Sequence, residues 1–218
     1  MSNPDSFIDE VTEEVRRDRL FALMRRYGWI AIVAVIALVG GAAWHEYAQA
    51  QDRAAARALG GEVLAALDGE TAQARSDALA AIDAPTPESG AIVAMLLASE
   101  AAQAGAPDTA AQALESVTVD GDLPEIYREI AIWKAMTLQD SPLGTDDRRA
   151  GLEGLAIPGK PLRLLAEEQL ALLDIETGDT EGALDRLRRI VEDSETTAGL
   201  RQRASQLIVA LGGSLDAG

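Results

Sequence analysis

Between Arg26 and His45 the chain has no charged residue, and residues 27–44, YGWIAIVAVIALVGGAAW, form its longest apolar run. As a helix this run extends about 27 Å at roughly 1.5 Å per residue, close to the hydrocarbon thickness of a bilayer. Ile30, Ile32, Val33, Val35, Ile36, Leu38 and Val39 each favour insertion by about 0.3 to 0.6 kcal/mol, together ~2 to 4 kcal/mol. Tyr27, Trp29, Trp44 and Tyr47 bracket the run in a chain that is only 4% aromatic, and rings with a polar edge prefer the headgroup layer. The sequence therefore predicts a transmembrane helix over 27–44. Ala48-Gln49-Ala50 resembles a signal-peptide processing site, the competing reading. The long acidic segment ahead of the run, the length of the run and the Trp44 and Tyr47 flank favour a retained anchor.

The basic residues near the run are unevenly placed. Arg16, Arg17, Arg19, Arg25 and Arg26 precede it, whereas only Arg53 and Arg57 follow closely. Positively charged flanks stay in the cytoplasm, so the N-terminus is expected there and the large C-terminal part across the membrane. In a bacterium that means a single-pass inner-membrane protein with a periplasmic domain. Ala34, Ala37 and Gly41 share one face of the run, and Ala37-x-x-x-Gly41 is a small-residue pair that permits close helix packing, which leaves a homo-oligomer open. Residues 1–26 read as a cytoplasmic amphipathic segment beginning at Asn3-Pro4, with Phe7, Ile8, Val11 and Val15 at helical spacing. Docking of that stripe on a partner or the bilayer, and a mobile tail, both stay open.

Beyond the run, Ala and Leu dominate and β-branched residues are scarce, which favours an all-α fold. Residues 45–69 read as a helical stalk, weakened or bent at Gly60-Gly61 and closed by Asp68-Gly69. A domain of helical hairpins is expected over 70–213, with a flexible tail at 214–218. A short helix over about 71–82 is followed by Thr86 and Pro87 as N-cap and first helical residue. Hairpins are expected over 88–117 with a break at 105–107, over 122–155 with a break near 140–145, and over 161–193 with a break at Gly178-Asp179. Asp122-x-x-Glu125 has the form of a capping box. A last helix, about 195–211, ends at Gly212-Gly213.

The first and third hairpins superpose on their central glycines. Leu97 and Ala98 match Leu170 and Ala171, Gly105 matches Gly178, Ala110 matches Ala183 and Leu114 matches Leu187, an offset of 73 residues, or about two 34-residue repeats plus a small insertion. Small residues are needed where two helices cross closely, glycine serves the turn, and large apolar residues fill the space between hairpins. The pattern is tetratricopeptide-like. In the middle hairpin Ala135 and Ala150 are the expected small contacts.

Five of the 19 basic and six of the 36 acidic residues precede His45, so 14 basic residues face 30 acidic ones from there on, a net charge of −16. Such a domain repels nucleic acid and anionic headgroups and suits a solvated surface or a basic partner. One histidine, His45, and no cysteine leave no setting for a hydrolytic triad, a transition-metal site or another cofactor. Glu167-Glu168 and Asp146-Asp147 read as solvated helix faces, because neighbours on a helix point apart. Gly60-Gly61 lacks the Lys-Ser/Thr of a phosphate loop. A non-enzymatic interaction protein is expected, with Trp133 read as core and Tyr127 divided between core and surface.

The opening FIDEVTEEVRRDR, followed by LMRRYGW entering the apolar run, resembles the alphaproteobacterial members of the YfgM-like family, the tetratricopeptide-like ancillary subunits of the Sec translocon. The likeness extends in outline over most of the chain: an acidic-then-basic segment, one membrane helix and an Ala-rich repeat domain. It implies a periplasmic interaction domain whose partners are Sec translocon subunits and periplasmic chaperones. It carries no catalytic or ligand-binding residue to this chain. An envelope scaffold or self-associating repeat protein unrelated to export is the other reading.

Overall fold

The computed structural model describes the backbone of residues 4–214 and the side chains of Arg25, Arg26, Trp29, Ile30 and residues 33–214. The expected tail lies largely outside them, as do the side chains of the amphipathic stripe. Nine α-helices occupy the described residues: α1 (Pro4–Leu67), α2 (Ala72–Ala80), α3 (Pro87–Gln103), α4 (Pro107–Thr118), α5 (Glu125–Met136), α6 (Thr145–Leu155), α7 (Arg163–Glu176), α8 (Thr180–Glu192) and α9 (Ala198–Ala210). The chain divides into two compact units, 1–57 and 58–218. Helix α1 continues through Gly60 and Gly61, where the sequence predicts a weakening or a bend. The Ala- and Leu-rich sequence around the glycines offsets their helix cost of about 1 kcal/mol each. The last turns of α1 therefore belong to the second unit, where Ala66 is buried.

From α2 to α9 each helix packs against the next, and the helix boundaries follow local chemistry. Thr86 caps α3 by accepting from Ser89 N–H at 3.2 Å while Ser89 Oγ accepts from Thr86 N–H at 3.1 Å, with Pro87 at the first helical position. Gly105 and Gly178 end α3 and α7 in left-handed conformation, φ +75° and +84°. Their neighbours reproduce each other's hydrogen bonds: Ala106 N–H to Ala101 C=O at 2.9 Å, and Asp179 N–H to Asp174 C=O at 2.8 Å. These are Schellman closures, in which the left-handed residue lets the chain satisfy the last carbonyls of the helix. At Gly212, φ +79°, the same device ends α9.

Core composition explains how closely the helices approach. One cluster holds Ala91, Ala98, Ala101, Ala110, Ala131 and Ala135 with only Leu114, Val117 and Leu123 as larger buried residues. Such small contacts bring helix axes near the short end of the usual 8–10 Å. Leu152, Leu155, Ala166, Leu170 and Leu173 form a second cluster, and Ala171, Leu187, Ile190, Leu200, Ala204 and Ile208 a third.

Three local expectations are corrected. Asp122 does not cap α5. The helix starts after Pro124, Asp122 N–H donates to Asp120 Oδ1 at 2.9 Å, and Arg128 holds the carbonyls of Asp120 and Leu123; burial of Leu123 fixes this turn. Helix α9 begins at Ala198, capped by Thr197, because buried Thr196 donates to Ile190 C=O at 2.6 Å and keeps the preceding residues out of the helix. In the middle hairpin Ala150 is exposed, and the residue facing α5 is Gly151, whose missing Cβ leaves room for the Met136 thioether. Counted from the first residue of each helix, Arg148 takes the place that Ala110 and Ala183 hold in α4 and α8, and its Nε donates to Met136 C=O at 3.1 Å.

Gly105→Ala should lower stability by about 1–2 kcal/mol, since a Cβ there meets open space but must adopt a left-handed backbone. Gly154→Ala, in the last turn of α6 with equal space and no positive φ, should instead stabilise by about 0.4–1 kcal/mol, because alanine has fewer unfolded conformations to lose. Urea unfolding followed by circular dichroism separates the two signs.

Candidate protein-interaction surface

Trp29, Ile30, Val33, Val35, Ile36, Leu38, Val39, Trp44 and Tyr47 are all exposed, Leu38 at 73% and Trp44 at 74%. At about 100° per residue, Ile30, Val33, Val35, Ile36, Leu38 and Val39 surround the axis at intervals of roughly 60°. Among the described residues, this stretch of α1 has no polar face. Ala34, Ala37 and Gly41 are exposed along it, and nothing lies within 4 Å of a Cβ built at Gly41. Trp44 and Tyr47 are tilted against each other, ring centroids 6.5 Å apart, and Gln51 donates to the Tyr47 hydroxyl at 3.1 Å. Arg25, Arg26 and His45 are exposed. Tyr27, Arg16, Arg17 and Arg19 lie outside the described side chains. Among the described residues no helix is long and apolar enough to cross a membrane. Gly28, Ala31 and Ile32 also lie outside that set, so only residues 33–44 of the run enter it without interruption.

The repeat-defining residues fall at equivalent places. Ala98, Ala110, Ala171 and Ala183 are buried where α3 crosses α4 and α7 crosses α8, and Leu114 and Leu187 lie beneath them. The same 73-residue offset relates three further positions that differ in chemistry. Ala94, Ala101 and Ala113 pack together in the first hairpin; Glu167, Asp174 and Arg186 replace them in the third. Arg186 donates to Asp174 Oδ2 at 2.8 Å and to Glu167 Oε2 at 2.9 Å, and Arg149 from α6 reaches Asp174 Oδ1 at 2.6 Å. Asp174 is only 3% exposed, so two guanidinium groups take the place of its hydration.

Glu167 and Glu168 are therefore not the solvated face expected from sequence. Glu168, 6% exposed, receives a two-pronged pair from Arg203 of α9 at 2.7 Å and 2.7 Å. Asp146 and Asp147 do remain exposed, in the first turn of α6, where carboxylates favour the helix N-terminus. Arg163 joins α7 to the end of α8 through Asp193 at 2.9 Å and Glu195 at 2.6 Å, and Lys160 binds Glu129 at 2.6 Å and also Glu125. These bonds engage carboxylates and cations together, and the acidic excess of the domain remains on its other faces. Periodicity could not reveal this stitching; substitution of charge into a repeat position that holds alanine elsewhere is the signal that points to it.

Trp133 packs on the Leu152 cluster and Tyr127 on the alanine-rich one, both half-buried. The buried Trp133 Nε1 has no hydrogen-bond partner among the described residues. Among those residues no group of three or more His, Cys, Asp and Glu is placed to hold a metal ion.

A family model described as a tetratricopeptide repeat-like domain matches residues 25–136, just over half of the chain. The match takes in the apolar run and ends at the last residue of α5. Neither the curated proteins nor the solved structures compared contain a significant match.

Arg186→Met should destabilise by about 2–3 kcal/mol, because it strips one partner from buried Asp174. Arg188→Met, at the exposed pair with Asp185 on the same helix, should change stability by less than about 0.5 kcal/mol. Acid supplies a second test. The Glu195 backbone N–H, and then Arg163, hold the Asp193 carboxyl below its ordinary value; Lys160 does the same to Glu125. A lowered carboxylate contributes stability that is complete above its unfolded pKa and is lost as pH falls through its folded pKa. The melting temperature should therefore hold down to about pH 4 and then fall, with a shallower acid limb in Asp193→Asn.

Proposed function

We propose that this chain, which belongs to the tetratricopeptide repeat-like domain family, is a non-enzymatic protein-interaction module held at a membrane by its N-terminal helix. The observation that carries the anchor is the all-round exposure of Ile30, Val33, Val35, Ile36, Leu38 and Val39. A helix that is apolar on every side requires a core or a bilayer around it, whereas a docking helix would show a polar face. Arginines precede the run and aromatic residues bracket it, which supports a cytoplasmic N-terminus and a periplasmic repeat domain in the bacterial inner membrane. Tethering would keep the repeat domain at high local concentration beside membrane-bound partners.

The finer assignment, an ancillary translocon factor that links export of secreted proteins to periplasmic chaperones, rests on the resemblance of FIDEVTEEVRRDR and LMRRYGW to the YfgM-like family. The exposed small face at Ala34, Ala37 and Gly41 favours the second reading, a self-associating envelope scaffold.

Val35→Asp together with Leu38→Asp should move the protein from the membrane to the soluble fraction, since each acid opposes insertion by about 2.5–3.5 kcal/mol. A wild type recovered in the soluble fraction without detergent would contradict the anchor. Tagged wild type purified in mild detergent should retain a translocon subunit or a periplasmic chaperone; recovery of itself alone would replace the export reading with the scaffold.

A further inference from the structure

The hollow between the first turn of α5 and the loop joining α6 to α7 takes no part in the helix crossings or the anchor. It is a depression open to solvent, with about 460 Å³ of space, walled by Glu125, Ile126, Glu129, Pro158, Lys160 and Pro161, a size at which binding sites accept small ligands or a few side chains. Its form is set in advance. Gly159 is left-handed at φ +87°, Lys160 N–H closes a turn on Ile157 C=O at 3.1 Å, and prolines on both sides restrict the backbone. Lys160 then ties the loop to α5 through Glu125 and Glu129. A preformed wall lowers the ordering cost of whatever binds there.

Two properties of the hollow define its occupant. Ile126 within it and Ile157 on the adjoining loop present apolar surface to water, at 39% and 51% exposure. The two carboxylates share one ammonium group, and of these the Glu129 side chain is 7% exposed and the Glu125 side chain 65%. Lys160 must serve both carboxylates, with Arg128 acting on Glu125 from farther off, and the more accessible of the two acids, Glu125, lies on a domain whose net charge is strongly negative. A second copy of this chain would bring the same sign.

We infer that this hollow is a docking site for an extended segment of a partner protein that carries a large apolar side chain next to a lysine or arginine. The apolar side chain fills the space against Ile126 and the prolines, and the cation meets Glu125 while Lys160 retains Glu129. Opposite charge speeds encounter and selects against acidic segments. This site gives a location and a ligand chemistry to the protein-interaction reading and depends on neither the anchor nor the translocon.

The chain contains no cysteine, so a single thiol can report on the site. Full-length Pro161→Cys protein in detergent is equilibrated under thiol-exchange conditions with acetylated pentapeptides Cys-Gly-Leu-Arg-Gly, Cys-Gly-Leu-Glu-Gly and Cys-Gly-Ser-Arg-Gly, and the conjugates are weighed by mass spectrometry. The Leu-Arg peptide should exceed each of the others by about tenfold. That preference should vanish when Glu125→Gln or Ile126→Ser is added, and should be absent at the exposed control Val119→Cys. Pro158→Cys serves if the circular dichroism of Pro161→Cys departs from wild type. Equal capture of the three peptides, or a preference untouched by both substitutions, would overturn the inference. A disulfide-linked dimer as the main product would assign the hollow to a second copy and overturn it too. Failure of membrane fractionation leaves peptide capture unaffected, so the two readings fail separately.

Discussion

Two helices cross at close range only where both offer small side chains, and the repeat domain is built outward from such crossings. Ala98 and Ala110 in the first hairpin, and Ala171 and Ala183 in the third, are buried, and each crossing is set beside a left-handed glycine that turns the chain at once. With the backbones close, Leu114 and Leu187 reach past them into the space between neighbouring helices. The middle hairpin departs from this scheme. Arg148 occupies the alanine position, Gly151 provides the close approach, and α6 is joined to α7 by Arg148–Glu176 and Arg149–Asp174 as well as by Leu152 and Leu155.

Charge replaces small apolar contact more widely in the second half of the domain. Where Ala94, Ala101 and Ala113 pack together, their counterparts Glu167, Asp174 and Arg186 form an ion network. Buried ion pairs of this kind add less net stability than apolar packing but penalise any arrangement that separates them.

Much of the helical order was legible in the sequence because it depends on local signals. Thr86-Pro87, Gly105, Gly178 and Gly212 each act within a few residues, and the Gly-x-x-x-x-Ala spacing carried the hairpin correspondence across 73 residues. The losses share a cause, since they depend on contacts distant in sequence. Asp122 was an acceptable cap by spacing but was displaced by the burial of Leu123 and the reach of Arg128. Ala150 and Gly151 are adjacent, and it is the contact with Met136, 15 residues away, that singles out Gly151. Nothing local distinguishes a solvated Glu168 from one held by Arg203, 35 residues away. The hollow beside Lys160 was likewise invisible, because its walls come from two segments about 30 residues apart.

Ahead of the repeat domain lies an apolar stretch of α1 whose described residues, 33–44, offer water no polar side chain. If a membrane covers that helix, the arginines before it and the acidic domain after it lie on opposite sides. The most direct measurement is labelling of single cysteines by a membrane-impermeant maleimide in bacterial cells whose outer membrane alone is permeable. Gln202→Cys, on the exposed side of α9, should label in intact cells, and Ser2→Cys only after the inner membrane is broken. Immediate labelling of Ser2→Cys with protection of Gln202→Cys, or equal protection of both, would contradict the account.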